Sequence, residues 1–215
     1  MGNTQSIRQK ILADIRLALR DVDQLAVASP VVESSLVFRK QDEGLADGFV
    51  RVFMGIDGRV VRCENAVQLT AKLKALLERR NWKKVAIRSL LLEEFGAQPD
   101  VWRPHTEGTD NIEHIEVGIT DCEYLVSSTG SIVMSAAQSA GRTLPVYVPV
   151  HIVVARESQL VQDLYEATRK MEQRYEYDYP SAWYFMSGPS RTGDIEKTLV
   201  LGVHGPIEVY VFLMK

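Results

Sequence analysis

Cysteine is scarce in this chain of 215 residues. Only Cys63 and Cys122 occur, far apart and without any Cys-x-x-Cys spacing. Two such cysteines exclude a disulfide framework, and they cannot supply the thiolates of an iron–sulfur cluster or a structural zinc site. No local pattern of the His-x-x-Glu-His type compensates for them. We therefore expect a protein of a reducing compartment, the cytoplasm, with no metal and no cofactor in this chain.

A dominant charge and a long apolar run are also missing. The 25 basic and 28 acidic residues leave a net charge of −3, with no block of one sign. Nucleic-acid binding needs clustered Lys and Arg, so this composition disfavours it. No apolar run approaches the roughly 20 residues that span a bilayer, and no signal-peptide core stands at the N-terminus. We expect neither a nucleic-acid partner nor a membrane span, and we leave a homo-oligomer open.

Apolar periodicity divides the chain into two regions. Isoleucines and a final leucine recur every four residues from Ile7 to Leu19, with charged residues between them, which predicts an amphipathic helix over 6–20. A polar stretch follows the helix, so residues 1–44 are predicted to be an N-terminal helix and its connection. Residues 45–215 are then long enough to form one globular domain.

Strand and helix patterns alternate within that domain. The first half predicts a strand at 59–63, a helix at 66–80, a strand at 85–87 and a helical turn at 90–95, whereas Phe49–Met54 fits either a strand or the end of a helix. The second half predicts a helix over 157–175 and strands at 132–134, 146–155, 183–186 and 207–213. This alternation predicts a three-layer α/β/α fold with a mainly parallel sheet. Ligands of such sheets bind beyond the carboxyl ends of the strands.

Two turns rich in Gly and Pro follow the predicted strand at 183–186. They lie within SGPSRTGDIEKTLVLGVHGP, residues 187–206. Their glycines allow close approach of a ligand to the backbone, and their hydroxyls and Arg191 suit an anion, especially if a helix begins between Thr192 and Glu196. Asp194 then either caps that helix or orients His204. The alternative is a capped turn before a buried strand, which residue types alone leave open.

Three separated motifs carry a family resemblance. The run at 187–206 resembles the C-terminal signature of the LUD domain, the family of lactate-utilisation protein C. The segment GITDCEYLVSSTGSIV at 118–133 resembles its second motif, and Arg142 with VPVHIVV at 148–154 resembles the Arg and the Pro-x-His strand between them. All three stand in the family's order, so the resemblance covers roughly residues 45–215.

The resemblance implies a fold similar to that of the NagB, RpiA and CoA-transferase group. It also implies a bacterial component of L-lactate oxidation to pyruvate that has no cluster of its own, so that partner proteins contribute the iron–sulfur clusters. One departure concerns mechanism. Ser128 stands where many members carry Glu, which puts covalent catalysis at this position in doubt. The alternatives are a non-catalytic binding or assembly subunit, and an acyl-CoA or sugar-phosphate enzyme that uses Asp194 or Glu196.

The resemblance and the residue chemistry together predict a site for a small anion, a carboxylate or a phosphate. His204 and Asp194 are the candidates for a catalytic role. His151 has a second interpretation as a hydrogen-bonded core histidine, Arg142 and Arg191 as partners in surface ion pairs, and Asp121 as a helix cap. The predicted ligand-binding residues are Ser187, Gly188, Ser190, Arg191, Thr192, Asp194 and His204 on one wall, with Thr129, Gly130, Ser131, Arg142 and His151 across the pocket.

Overall fold

The computed structural model describes residues 2–19, 43–96, 103–104, 114–138, 142–176, 178–193, 199–201 and 204–215. The chain divides into two compact units, Met1–Val37 and Phe38–Lys215. The first contains helix α1 (Gly2–Leu19), which confirms the predicted N-terminal helix. Within the described ranges, no helix is both long and apolar enough to cross a bilayer.

A six-stranded sheet organises the second unit. Every neighbouring pair in it is parallel, which confirms the predicted α/β fold with a mainly parallel sheet. Its strands, in spatial order, are β1 (Arg59–Cys63), β12 (Glu208–Met214), β7 (Val150–Arg156), β4 (Val117–Asp121), β2 (Val85–Arg88) and β3 (Arg103–Pro104).

Helices α3 (Ala66–Arg80) and α4 (Leu90–Glu94) cover one face of this sheet. Helix α3 begins where the Asn65 side chain accepts the backbone N–H of Gln68 at 2.9 Å, and it ends at Asn81 in a left-handed conformation. These are the polar caps that satisfy free backbone groups at helix ends. The helix turns Leu69, Leu73, Leu76 and Leu77 toward the sheet, as its 3.6-residue periodicity predicts.

The opposite face packs against helix α2 (Leu45–Gly55) and a second sheet. Phe49 and Phe53 of α2 stack with ring centroids 5.2 Å apart, and both are fully buried. This resolves residues 49–54 as helix. The second sheet has the order β8 (Leu160–Val161), β5 (Tyr124–Val126), β6 (Ser131–Ser135), β9 (Trp183–Met186). On its other side lies helix α6 (Leu164–Arg174).

Several predicted boundaries in the second half of the chain are wrong. A short helix α5 (Leu144–Tyr147) stands where the strand over 146–155 was predicted to begin. The helix predicted from 157 begins only at Leu164, because Leu160 and Val161 pair with β5 and Asp163 then caps α6 by accepting the Glu166 N–H at 2.8 Å. Strands β4 and β5 were not predicted at all.

The helix start predicted between Thr192 and Glu196 is also wrong for the residues that the structure describes. Strand β10 (Arg191–Gly193) pairs with β11 (Leu199–Leu201) as an antiparallel hairpin, with Thr192 opposite Val200. Residues 194–198, among them Asp194, lie outside the described residues. Residues 191–193 therefore supply no helix N-terminus to an anion bound at Arg191.

Candidate functional site

A cavity of about 560 Å³ lies where three strands of the parallel sheet begin. Ile56 precedes β1, α5 precedes β7, and the turn at 204–206 precedes β12. Its lining comprises Ile56, Pro145, Val146, Tyr184, Phe185, Met186, Ser187, Gly188, Pro189, Ser190, Arg191, His204, Gly205 and Pro206.

This position differs from the expectation of a site beyond the carboxyl ends of the strands. Ser187 does follow the carboxyl end of β9, as predicted. Strand β9, however, pairs antiparallel with β6 in the second sheet. Relative to the parallel sheet, the cavity lies at the amino edge. The sequence could not predict this position, because the pattern of residues does not reveal which sheet β9 joins.

A chain of hydroxyl groups connects the two Gly-containing motifs. Thr129 Oγ1 lies 2.7 Å from Ser131 Oγ, which in turn lies 2.7 Å from Ser187 Oγ. Gly130, between the first two, has φ +62°, and a Cβ there would come within 2.9 Å of the Phe53 backbone. The sequence thus predicted residues that the fold brings together, with Ser187 at the cavity and Thr129 and Ser131 behind it.

The two turns of the C-terminal motif are bonded to each other. The Ser190 N–H donates to the Pro206 carbonyl at 2.8 Å, and the His204 N–H donates to Ser190 Oγ at 3.3 Å. Gly188 is buried with φ +71°, and a Cβ there would meet the Ile56 carbonyl oxygen at 2.6 Å. Only glycine suits this backbone position, so the cavity wall depends on it.

Arg191 is the cationic group of the cavity wall. Its guanidinium forms an ion pair with Asp57, whose carboxylate belongs to the turn between α2 and β1. The two side chains are 43% and 68% exposed, respectively. Because exposed ion pairs contribute little free energy, an anionic ligand can compete with Asp57 for Arg191.

Tyr184 contributes a hydrogen-bonding group that sequence reasoning missed. Tyr184 lines the cavity, and its hydroxyl oxygen is buried without a hydrogen-bond partner among the described residues. Burial raises the pKa of Tyr184 to about 12, so the phenol stays neutral and can donate. Alternation along β9 places Tyr184 and Met186 on the face toward the interior. The predicted strand at 183–186 was sufficient to foresee this orientation.

The comparisons with known proteins follow the same motifs. The sequence model of the LUD domain family matches residues 49–214. This chain belongs to the LUD domain family. A solved LUD-like structure, a DUF162 family protein from Deinococcus radiodurans, has 20% identity and a TM-score of 0.59, and the alignment covers 80% of this chain and 96% of that one. That likeness supports the fold.

Several curated relatives carry the name lactate utilization protein C. The one from Halalkalibacterium halodurans is 35% identical over 115 residues, which cover 51% of this chain and 50% of that protein. The Escherichia coli protein YkgG, named as uncharacterized, is 29% identical over 184 residues, which cover 78% of each chain. The chain thus spans about half the length of the first of these relatives.

Other residues of the LUD motifs lie away from the cavity lining. His151 is fully buried, with Nε2 2.9 Å from Thr120 Oγ1 and with Nδ1 unpartnered among the described residues. Burial lowers the pKa of His151 to about 3, so the ring is neutral. Arg142 is exposed and outside the lining, and Thr192 lies in β10. Asp194 lies outside the described residues.

Ser128, the departure within the LUD motif, has a buried hydroxyl. Its Oγ has no hydrogen-bond partner in the described part of the chain, although its N–H donates to the Gln162 carbonyl at 3.0 Å. Among the described residues, no group of three His, Cys, Asp or Glu side chains is placed to hold a metal ion. Cys63 and Cys122 are both buried free thiols.

The carboxyl edge of the same sheet holds two buried carboxylates. Asp121 accepts the Ser89 hydroxyl and the N–H groups of Leu90 and Leu91, the latter two at 2.7 and 3.2 Å. It therefore caps α4, which agrees with its interpretation as a helix cap. Glu123 accepts hydroxyls of Ser135 and Tyr175, and its Oε2 lies 2.9 Å from Arg174 Nη1.

Proposed function

We propose that this chain serves L-lactate utilisation, the oxidation of L-lactate to pyruvate, as a LUD component without an iron–sulfur cluster of its own. Residues 45–215 would form the LUD domain, with 1–44 as an appended helix and connection. Support comes from the family membership and from the relatives named lactate utilization protein C. Iron–sulfur partner proteins would supply the clusters, because the two cysteines of this chain are too few to bind one. Iron analysis of the purified chain tests that part.

The cavity at the amino edge would bind a small carboxylate. The observation that carries this proposal is one cavity that offers Arg191, Ser190 and His204 of the C-terminal motif on one side, with Ser131 of the second motif hydrogen-bonded to Ser187 behind its wall. A guanidinium can bind a carboxylate with two parallel hydrogen bonds, and hydroxyl and imidazole groups add donors. Gly188, Ser187, Thr129, Gly130 and Ser131 would shape this wall. His204 and Asp194 remain the candidates for a catalytic role.

Calorimetric titration and thermal shift with L-lactate and pyruvate test the carboxylate site, with uncharged 1,2-propanediol as the control ligand. Binding should raise the melting temperature of the chain by mass action. Arg191→Ala should lose about 1.5–3 kcal/mol of carboxylate binding. Arg51→Ala is the matched control, because Arg51 is an exposed arginine paired with Glu43 outside the cavity lining.

Asp57→Asn sharpens the same test. Removal of this charge releases Arg191 from its ion pair, so carboxylate binding should become tighter than in the unaltered chain. Unchanged affinity in Arg191→Ala, or an equal loss in Arg51→Ala, would contradict the site. A lowered melting temperature of Arg191→Ala without ligand would mean that the turn is structural.

The cavity volume favours a second candidate. About 560 Å³ falls within the range that encloses drug-sized ligands and exceeds what lactate fills. A neighbouring cavity of about 290 Å³ shares Val146, His204 and Gly205 with it. CoA and sugar phosphates therefore belong in the same titration, as ligands of an acyl-CoA or sugar-phosphate enzyme. Binding of these ligands without lactate or pyruvate would favour that function over lactate utilisation.

A further inference from the structure

Helix α1 carries an apolar stripe on one face. Every described side chain of this helix, from Ile7 to Ala18, is exposed. Ile7, Ile11 and Ile15 follow one another at intervals of four on a single face and are 54%, 53% and 49% exposed. A single helix of 18 residues is marginally stable in water, and most helices gain stability by packing an apolar face. Such a stripe requires a partner surface.

The charges beside the stripe indicate what that partner is. At 3.6 residues per turn, Lys10 and Asp14 lie one turn apart on one flank of the isoleucines, and Leu12 lies on the other flank. In an antiparallel helix pair related by a two-fold axis, equivalent flanks face each other. In a parallel pair, the flank with Lys10 and Asp14 would instead meet Leu12 and Arg8, where Lys10 gains no opposite charge.

The antiparallel register follows from these positions. A two-fold axis level with Leu12 brings Lys10 level with Asp14 of the partner subunit, and the reciprocal pair forms by symmetry. The same axis places the three isoleucines at alternating heights with their equivalents, about two residues or 3 Å apart, so that Ile11 and Ile15 each fit between two isoleucines of the partner subunit and Ile7 lies at the end of the row. Apolar packing and charge pairing thus select one register.

We propose that α1 is a self-association helix, through which two copies of this chain pair antiparallel along the stripe of Ile7, Ile11 and Ile15, with reciprocal Lys10–Asp14 ion pairs. The interface is isologous, the arrangement found in most soluble dimers. One short helix pair buries much less than the roughly 1,600 Å² of a standard interface. The dimer is therefore weak and depends on protein concentration. This inference is independent of the ligand in the LUD cavity.

Sedimentation velocity of the full chain over a concentration series measures this association. The unaltered chain should shift from monomer to dimer as its concentration rises, and Ile11→Asp should stay monomeric throughout. Ala13→Asp is the matched control, since Ala13 is an exposed residue of the same helix on the side opposite the stripe. It should dimerise like the unaltered chain.

A charge exchange tests the antiparallel register. Lys10→Glu and Asp14→Lys should each dimerise more weakly, since each variant places like charges together. An equimolar mixture of the two variants restores opposite charges and should associate about three- to tenfold more tightly than either variant alone, the range expected for exposed ion pairs.

Four outcomes would overturn the proposal. The unaltered chain could remain monomeric at every concentration, the mixture could associate no better than its components, or Ala13→Asp could lose association as Ile11→Asp does. A lowered melting temperature of Ile11→Asp in dilute, monomeric solution would also overturn it, because the stripe would then pack within its own chain.

Discussion

At the carboxyl edge of the parallel sheet, Asp121 accepts three hydrogen bonds from the Ser89 hydroxyl and the start of α4. At the amino edge, His151 and Tyr184 each keep a buried polar atom without a partner among the described residues. Leaving such an atom unpaired costs about 1–3 kcal/mol. Arg156 Nε, at the carboxyl end of β7, is also buried without a hydrogen-bond partner among the described residues, so the edges differ in what their polar groups hold rather than in how many are unpaired.

The polar groups at the two edges differ in a way that supports the proposed position of the ligand site. Polar groups at the carboxyl edge are engaged in holding α4 and the segment around Glu123, so they have little capacity left for a ligand. The turns at the amino edge are hydrogen-bonded to each other but leave Arg191 and His204 at a cavity. The proposed carboxylate site at the amino edge departs from the usual preference of ligands for the carboxyl ends of strands.

The largest expected effect comes from breaking the carboxyl edge. Asp121→Ala should lower the free energy of unfolding by about 3–4 kcal/mol, because it leaves a buried hydroxyl and two N–H groups without their acceptor. Asp121→Asn keeps one acceptor and should cost about half as much. Urea unfolding measures both variants. A loss below about 1 kcal/mol for Asp121→Ala would show that the hydrogen bonds accepted by Asp121 contribute little to stability.

Acid should lower the stability of the fold through His151, at the amino edge. The folded state lowers the pKa of His151 to about 3, whereas the unfolded chain takes up a proton near pH 6.5. Stability from this depressed pKa is complete above pH 6.5 and is lost as the pH falls toward 3, by about 1.4 kcal/mol per pH unit. The loss of stability that His151 causes amounts to about 3 kcal/mol at pH 4.

His151→Gln isolates that contribution. Urea unfolding at several pH values between 7 and 4 should show a shallower loss of stability in this variant than in the unaltered chain. Thr120→Val is the control, because it removes the hydrogen-bond partner but retains the imidazole, and it should keep the steep loss. Equal pH slopes in His151→Gln and the unaltered chain would show that His151 is not the titrating group.

The sequence predicted the elements whose periodicity is undisturbed. The strand at 59–63 and the helix at 66–80 match the structure, because apolar residues recur at the spacing of each element. Strand β4 was missed because Gly118, Thr120 and Asp121 are typical of a turn, although all five residues of this strand are buried. Burial on both faces removes the alternation that reveals a strand.

The structure brings several of the predicted site residues together, in an arrangement that the sequence did not predict. Ser187, Gly188, Ser190, Arg191 and His204 line one cavity, as their motif suggested. The partner of Arg191 could not be foreseen, because Asp57 belongs to a turn far away in sequence and meets it only in the tertiary structure. The sequence also could not show which edge of the parallel sheet the turn after β9 reaches, because β9 belongs to the second sheet.

A smaller effect is expected from Gly188→Ala, which breaks the amino edge. The variant combines a positive φ with a Cβ 2.6 Å from the Ile56 carbonyl, so it should cost about 2–3 kcal/mol and weaken carboxylate binding. Gly96→Ala is the matched control, since Gly96 has φ +63° but nothing within 4 Å of a Cβ. It should cost about 1 kcal/mol. Equal losses in urea unfolding would mean that Ile56 moves aside.

The smallest effect concerns Ser128, in the turn that also carries Thr129 and Ser131. Because its buried hydroxyl has no partner in the described part of the chain, Ser128→Ala removes an unpaired polar atom and leaves no donor or acceptor behind. We expect the free energy of unfolding to rise by about 0.5 kcal/mol.

Ser131→Ala is the contrasting variant in the same turn. Ser131 Oγ bonds to both Thr129 and Ser187, so its removal should lower the free energy of unfolding by about 1–2 kcal/mol. Urea unfolding of the two variants side by side measures the opposite signs. A loss of stability in Ser128→Ala would mean that this hydroxyl is hydrogen-bonded in solution, for instance to a bound water.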